Sequence, residues 1–325
     1  MRKFYIQSRS ICSLSIAFFV VVFIGVVSFF QLLPSKYSDI SDESILAPDF
    51  GADSAFSFVK AQVALGPRYP TNQSHVKAQD FLETTIKNFS STTKIQSFNH
   101  TFPDGKTVEL KNIIARFNPD NPRRMMLVTH YDTVRYVKND PKNSGVVPGA
   151  NNGASGTAIL LELARALSLA KEKPNVGIDL IFFDGEEGDE DWTKIPWHPI
   201  GSQYFATHLK DFYPEKLPEL AINIDMVGDK DLNLYQEVTS LKNAPDAVKG
   251  LWSIGSKIAP EAFHPRPKYS MFDDFTSLQS AGIPSVLIID FDYSAIYTSA
   301  DDMNMVSPSS LYVVGQTLLN YIFSL

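Results

Sequence analysis

Along residues 124–323, short apolar runs alternate with longer segments whose apolar positions recur every three to four residues. RMMLVTH (124–130), NVGIDLIFF (175–183), AINIDM (221–226) and PSVLII (284–289) are strand-length runs of the kind buried on both faces of a sheet. Between and after them, GTAILLELARALSLA (156–170) and residues 202–209, 248–258 and 311–323 carry the helical period, with Ser307 to Ser310 supplying cap residues for the last. Upstream, residues 52–65 and 76–89 read as helices on either side of the turn-rich GPRYPTNQSH. Residues 94–102 and 108–117 alternate apolar with polar around Pro103-Asp104-Gly105, which predicts a hairpin. Strands alternating with helices predict an α/β fold: a mostly parallel mixed sheet with helices on both faces.

The N-terminus has a different pattern. Residues 11–33, ICSLSIAFFVVVFIGVVSFFQLL, contain no charged side chain. At about 1.5 Å per residue, such a helix spans a hydrocarbon core of roughly 30 Å. Arg2, Lys3 and Arg9 precede it, and Asp39, Asp42 and Glu43 follow. The positive-inside rule then predicts a single-pass signal-anchor with the body on the non-cytoplasmic side. A cleaved signal peptide is the alternative, but its apolar core is normally about 7–15 residues and ends in a small-x-small site, which Phe29-Phe30-Gln31-Leu32 does not supply. The predicted organisation is a cytoplasmic N-terminus (1–10), an anchor (11–33), a polar linker (34–50) and a single large domain (51–325).

Composition narrows the functions available. The formal net charge is −7 and no Lys/Arg stripe occurs, which argues against a nucleic-acid partner. The one cysteine, Cys12, lies within the apolar segment. The body therefore has no disulfide, thiol nucleophile or thiolate ligand.

In open α/β sheets, ligands sit outside the carboxyl ends of the strands. The polar clusters fall there: His130-Tyr131-Asp132, Asp184-Gly185-Glu186-Glu187, Asp225, and the segment from Asp290 and Asp292 to Tyr297. Carboxylates and an imidazole on four strand ends suit a divalent cation held by O and N ligands, with a spare Glu as base. Ser155 and Ser202 have no His and Asp partners by motif, so a Ser-His-Asp hydrolase is not expected.

These residues resemble the zinc aminopeptidase and glutaminyl cyclase superfamily, peptidase family 28. The resemblance is carried by Gly66-Pro67-Arg68, His130-Tyr131-Asp132, the segment Pro148 to Gly156, Phe183 to Glu187, Gly201-Ser202, Ile224 to Gly228, Ala281 to Pro284 and Thr298 to Asp301. Asp273-Asp274, Trp192 and the insertion 188–200 are similar to the glutaminyl-peptide cyclotransferase branch, whose members form N-terminal pyroglutamate with one zinc ion. The resemblance implies that Glu186, Asp225 and Asp273 belong to the catalytic set. It puts Glu187, His130, Asp225, Asn152 and Tyr297 at metal-ligand positions, Asp132 where the His is oriented, and Trp192 in the substrate pocket.

The chain departs from that pattern. Asn152 stands where the family has a ligand Asp, Tyr297 where it has a ligand His, Ile296 where it has Trp, and Phe275 where it has His. The expected cofactor is a single zinc ion, weak or absent, and the expected partners are peptide N-termini and, through residues 11–33, a membrane. Two readings follow: a glutaminyl-peptide cyclotransferase, with an aminopeptidase as its near variant, or a pseudoenzyme ectodomain that acts in binding.

Overall fold

The apolar runs become the centre of one sheet. In the computed structural model, which describes residues 47–90, 92–135, 137, 145–187 and 198–325, the first half contains α1 (Ala52–Ala64), α2 (Gln73–Lys87), β1 (Thr92–Thr101), β2 (Thr107–Phe117), β3 (Arg124–His130), α3 (Ala154–Leu169) and β4 (Gly177–Phe183). The second half contains α4 (Ile200–Thr207), β5 (Leu220–Asp225), β6 (Leu234–Gln236), α5 (Val238–Asn243), α6 (Pro245–Ile258), β7 (Phe263–Pro267), α7 (Asp274–Ser280), β8 (Ser285–Ile289) and α8 (Pro308–Phe323).

The large sheet has the order β1-β2-β4-β3-β5-β8. β4, β3, β5 and β8 run parallel, while β2 is antiparallel to both β1 and β4. Every residue of the four parallel strands is buried, as their unbroken apolar runs require. The register pairs His130 with Phe183 and Asp225 with Ile289, which aligns the carboxyl ends of the strands along one edge. The polar residues that end each run are thereby gathered at that edge.

The structure differs from the sequence pattern in two places. β6 and β7 form a small parallel sheet that the pattern does not show, because β7 (FHPRP) holds two prolines and little apolar surface. Within β7, His264 is half-buried; its ring stacks on Tyr235 at 4.4 Å and its Nε2 is hydrogen-bonded to Asn233 Oδ1 at 3.0 Å. α2 begins three residues early, because the side chain of Asn72 accepts from the Ser74 N–H and caps it.

The end of the expected linker belongs to the folded body. Phe50 is buried, its N–H donates to Gln316 Oε1 at 2.8 Å, and the Gly51 N–H donates to Glu162 Oε1 at 2.9 Å. The expected anchor and the rest of the linker lie outside the described residues. Among the described residues, no helix is long and apolar enough to cross a membrane.

Candidate functional site

Five backbone turns build the site. β3 delivers His130 and then Asp132. The loop 149–153 delivers Asn152 at the start of α3. β4 leads through Gly185 to Glu186 and Glu187, β5 ends in Asp225, and α7 opens on Asp273. One of these turns, the loop 149–153, needs glycine at both of its ends. Gly153 (φ +96) and Gly149 (φ +67) lie in the left-handed region, and an added Cβ would strike the Asp132 carbonyl at the first and the Thr133 side chain at the second.

Asp132 shapes the paired-glutamate turn, because its two oxygens accept the N–H groups of Glu186 (3.0 Å) and Glu187 (3.1 Å). His130 lies among carboxylates: Nε2 is 3.1 Å from Asp225 Oδ1, and Nδ1 is 3.4 Å from Asp132 and 3.7 Å from Glu186. Burial opposes a charge on this ring, but Glu186 first, then Asp132 and Asp225, hold its pKa well above the ordinary histidine value.

Asn152 Nδ2 donates to Glu187 Oε1. The other oxygens of the pair, Asn152 Oδ1 and Glu187 Oε2, are buried and have no hydrogen-bond partner among the described residues. Burial, opposed by His130 and reinforced by Asp132 and Asp225, pushes Glu187 up to about 8. Burial and the charge of Glu187, again opposed by His130, raise Glu186 well above the carboxylate range. Asp273 is pushed to about 7 by burial and Asp225; it also caps α7 and accepts from Asn223 Nδ2 at 2.6 Å. The Tyr297 phenol is driven further above 10 by burial and then by Glu187 and Glu186, on a backbone at φ +60, which a bulky residue rarely adopts.

The structure thus brings His130, Asp132, Asn152, Glu186, Glu187 and Asp225 into one contact network, with Asp273 and Tyr297 within its electrostatic reach. Two acids from the fourth strand end go elsewhere. Asp290 accepts the N–H groups of Asn233 and Asp292, and Asp292 pairs with Lys268 at 2.6 Å on the surface. Trp192 lies outside the described residues.

Several residues outside the expected catalytic and ligand set support the site. The Asp301 carboxylate accepts the N–H groups of Asn151 (2.7 Å) and Asn152 (3.1 Å) and the Tyr293 hydroxyl (2.8 Å). The Arg68 guanidinium donates to the carbonyls of Tyr131 (3.0 Å), Pro148 (2.9 Å) and Gly149 (2.7 Å). Burial pulls Arg68 down to about 10, against Asp301 and Asp132, so it stays charged at neutral pH. His75 Nε2 is 2.7 Å from Asp184, directly before the glutamate turn. The motifs Gly66-Pro67-Arg68 and Thr298-Ser299-Ala300-Asp301 marked two of these positions; no local signal marked His75.

Zinc requires deprotonated N, S or O donors. Here the amide of Asn152 is neutral and its N–H points into Glu187, the Tyr297 phenol is held protonated, and both nitrogens of His130 face carboxylates. Among the described residues, no three His, Asp or Glu side chains converge to share a metal ion. This donor set does not fit the single zinc that the family resemblance implies.

An α/β body with carboxylates and an imidazole on the carboxyl edge of a mixed sheet defines a protein of the zinc-exopeptidase fold. Comparison with known proteins narrows the class. Residues 112–322 match Peptidase family M28, and the chain belongs to that family, on its glutaminyl cyclase branch. A bovine glutaminyl-peptide cyclotransferase-like protein is 25% identical over 262 residues, covering 72% of this chain and 66% of that protein, so the match spans a little under two thirds of the relative's length. Among solved structures, a Zn-dependent exopeptidase from Parabacteroides distasonis is 34% identical with a TM-score of 0.79, covering 85% of this chain and 99% of that one. Tannerella forsythia glutaminyl cyclase is 30% identical with a TM-score of 0.77 and the same coverage.

Proposed function

We propose that the chain is a membrane-anchored ectodomain of the glutaminyl cyclase fold that binds peptide N-termini without turning them over. The observation that carries this reading is the Asn152–Glu187 pair. A neutral amide donates into the carboxylate that the resemblance gives to the metal, while Tyr297 stands at the remaining ligand position. The substituted positions belong to one site, whereas the acids around them are retained. The uncharged run 11–33 supports the anchor.

Glutaminyl-peptide cyclotransferase activity, with aminopeptidase activity as its near variant, is the second reading. It is favoured by Glu186, which keeps its place beside His130 and has a raised pKa suited to proton transfer.

Metal analysis and a turnover assay on the purified full-length chain separate the two. The expected result is zinc well below one ion per chain, with no pyroglutamate from a Gln-initiated peptide and no amino acid released from a Leu-initiated one. Tight stoichiometric zinc with turnover of either peptide would favour the second reading. The anchor has its own test. Protease added to sealed cells is expected to digest the body and spare the first ten residues; a body protected until the membrane is opened would reverse the topology.

A further inference from the structure

Glu186, Glu187, Asp225 and Asp273 are buried carboxyl groups that join Asp132 around a single imidazole. Buried charge of one sign is costly unless a counter-charge joins it. Asn152 and Glu187, each at most 4% exposed, bond to one another through Asn152 Nδ2 and Glu187 Oε1, which leaves the amide oxygen of Asn152 and the second oxygen of Glu187 without a partner among the described residues. Asp225 spends one oxygen on His130. What remains is a set of acceptors, so the missing ligand is a donor that carries positive charge.

Two kinds of ligand meet that description: a metal ion and an ammonium group. The metal needs anionic or imidazole donors and finds a neutral amide at residue 152 and a phenol at residue 297 instead. An ammonium carries three donors and no acceptor; it bonds well to an amide oxygen as it stands, and its positive charge favours the ionised form of Glu187. The same substitutions that weaken the site for zinc therefore leave it serviceable for an amine.

We propose that Asn152, Glu187 and Asp225 bind a primary ammonium group directly, at the position the family resemblance gives to zinc. This deepens the binding reading above and rests on it. The ammonium has two sources, the α-amine of a peptide and the side chain of a lysine or a polyamine. Both present the same –NH3+ head, and these three side chains recognise that head. A quaternary ammonium of equal charge has no N–H to offer and is excluded on the same ground.

The test uses the full-length chain in detergent with EDTA, titrated calorimetrically. The probes are n-propylammonium, tetramethylammonium, a lysine-free peptide with a free α-amine, its N-acetylated form, and an N-acetylated peptide containing one lysine. n-Propylammonium is expected to bind saturably with a Kd on the order of 1 mM. Tetramethylammonium is expected to bind at least tenfold more weakly. Glu187→Gln, which keeps the side-chain shape, and Asn152→Leu are each expected to weaken n-propylammonium at least tenfold, with thermal melting used to confirm that each variant is folded. Binding of the free-amine peptide alone assigns the source to peptide N-termini; binding of the lysine peptide alone assigns it to side chains.

The proposal is overturned if no probe amine binds, if tetramethylammonium binds as well as n-propylammonium, or if stoichiometric zinc is retained and excludes the amine. Peptide binding that is unchanged by Glu187→Gln also overturns the ammonium assignment but leaves the wider binding reading intact. Pyroglutamate formation would instead overturn that wider reading, so the two failures are distinct.

Discussion

Replacing Asn152 by Asp together with Tyr297 by His is expected to raise the affinity of the chain for zinc by at least about 100-fold, which is about 2.7 kcal/mol. At residue 152 a neutral amide becomes a carboxylate, and its bond to Glu187 is exchanged for a repulsion that a divalent cation relieves. At residue 297 a phenol held protonated by burial, Glu187 and Glu186 gives way to an imidazole, which ligates when neutral near pH 7. The result is an Asp, Glu and His set around a single ion. The single variants are expected to gain much less than the pair, because ligands of one ion act as a unit. Calorimetric zinc titration of the parent, both single variants and the double variant checks this. A folded double variant that binds zinc no better than the parent would sink it.

Zinc binding is not expected to bring back full turnover. Phe275 is completely buried in an apolar cluster with Met226, Leu287, Ile289, Tyr293 and Ala295, and Ile296 packs against the same cluster. The departures at residues 275 and 296 thus belong to one packed unit next to Tyr297. Changing the ligands leaves that unit in place.

The parallel core was legible because each of its strands is buried on both faces, so side-chain alternation disappears and an unbroken apolar run remains. The location of the site followed from that, since acids that end such runs must collect on one edge. Glu186, Glu187, Asp225 and His130 were found in this way. What the pattern hid are interactions between distant segments. Nothing near His75 announces a bond to Asp184, 109 residues further on. β7 escaped because its two prolines and Arg266 mimic a loop. Asp290 and Asp292 misled for the converse reason: they follow a buried strand, yet backbone N–H groups and Lys268 turn them away from the cluster.

Arg68→Ala is expected to destabilise the folded body by about 3–5 kcal/mol, the cost typical of leaving a buried charge system without its partner. The guanidinium is fully buried and bridges the turn after β3 to the loop that carries Asn152, by three bonds to main-chain carbonyls. Its removal leaves those carbonyls without this donor and takes a favourable positive charge from Asp301 and Asp132. Asp301 itself holds the backbone of Asn151 and Asn152, so the loss passes directly into the site. Arg68→Lys is expected to recover only a small part, since one ammonium on a flexible stem does not reproduce a planar fork reaching carbonyls in different directions. Thermal melting of parent and variants provides the measurement, with a drop of roughly 10 °C expected for Arg68→Ala in a domain of this size. A loss under about 1 kcal/mol for Arg68→Ala, or full rescue by Lys, would show that the guanidinium fills space there and does not organise the two turns.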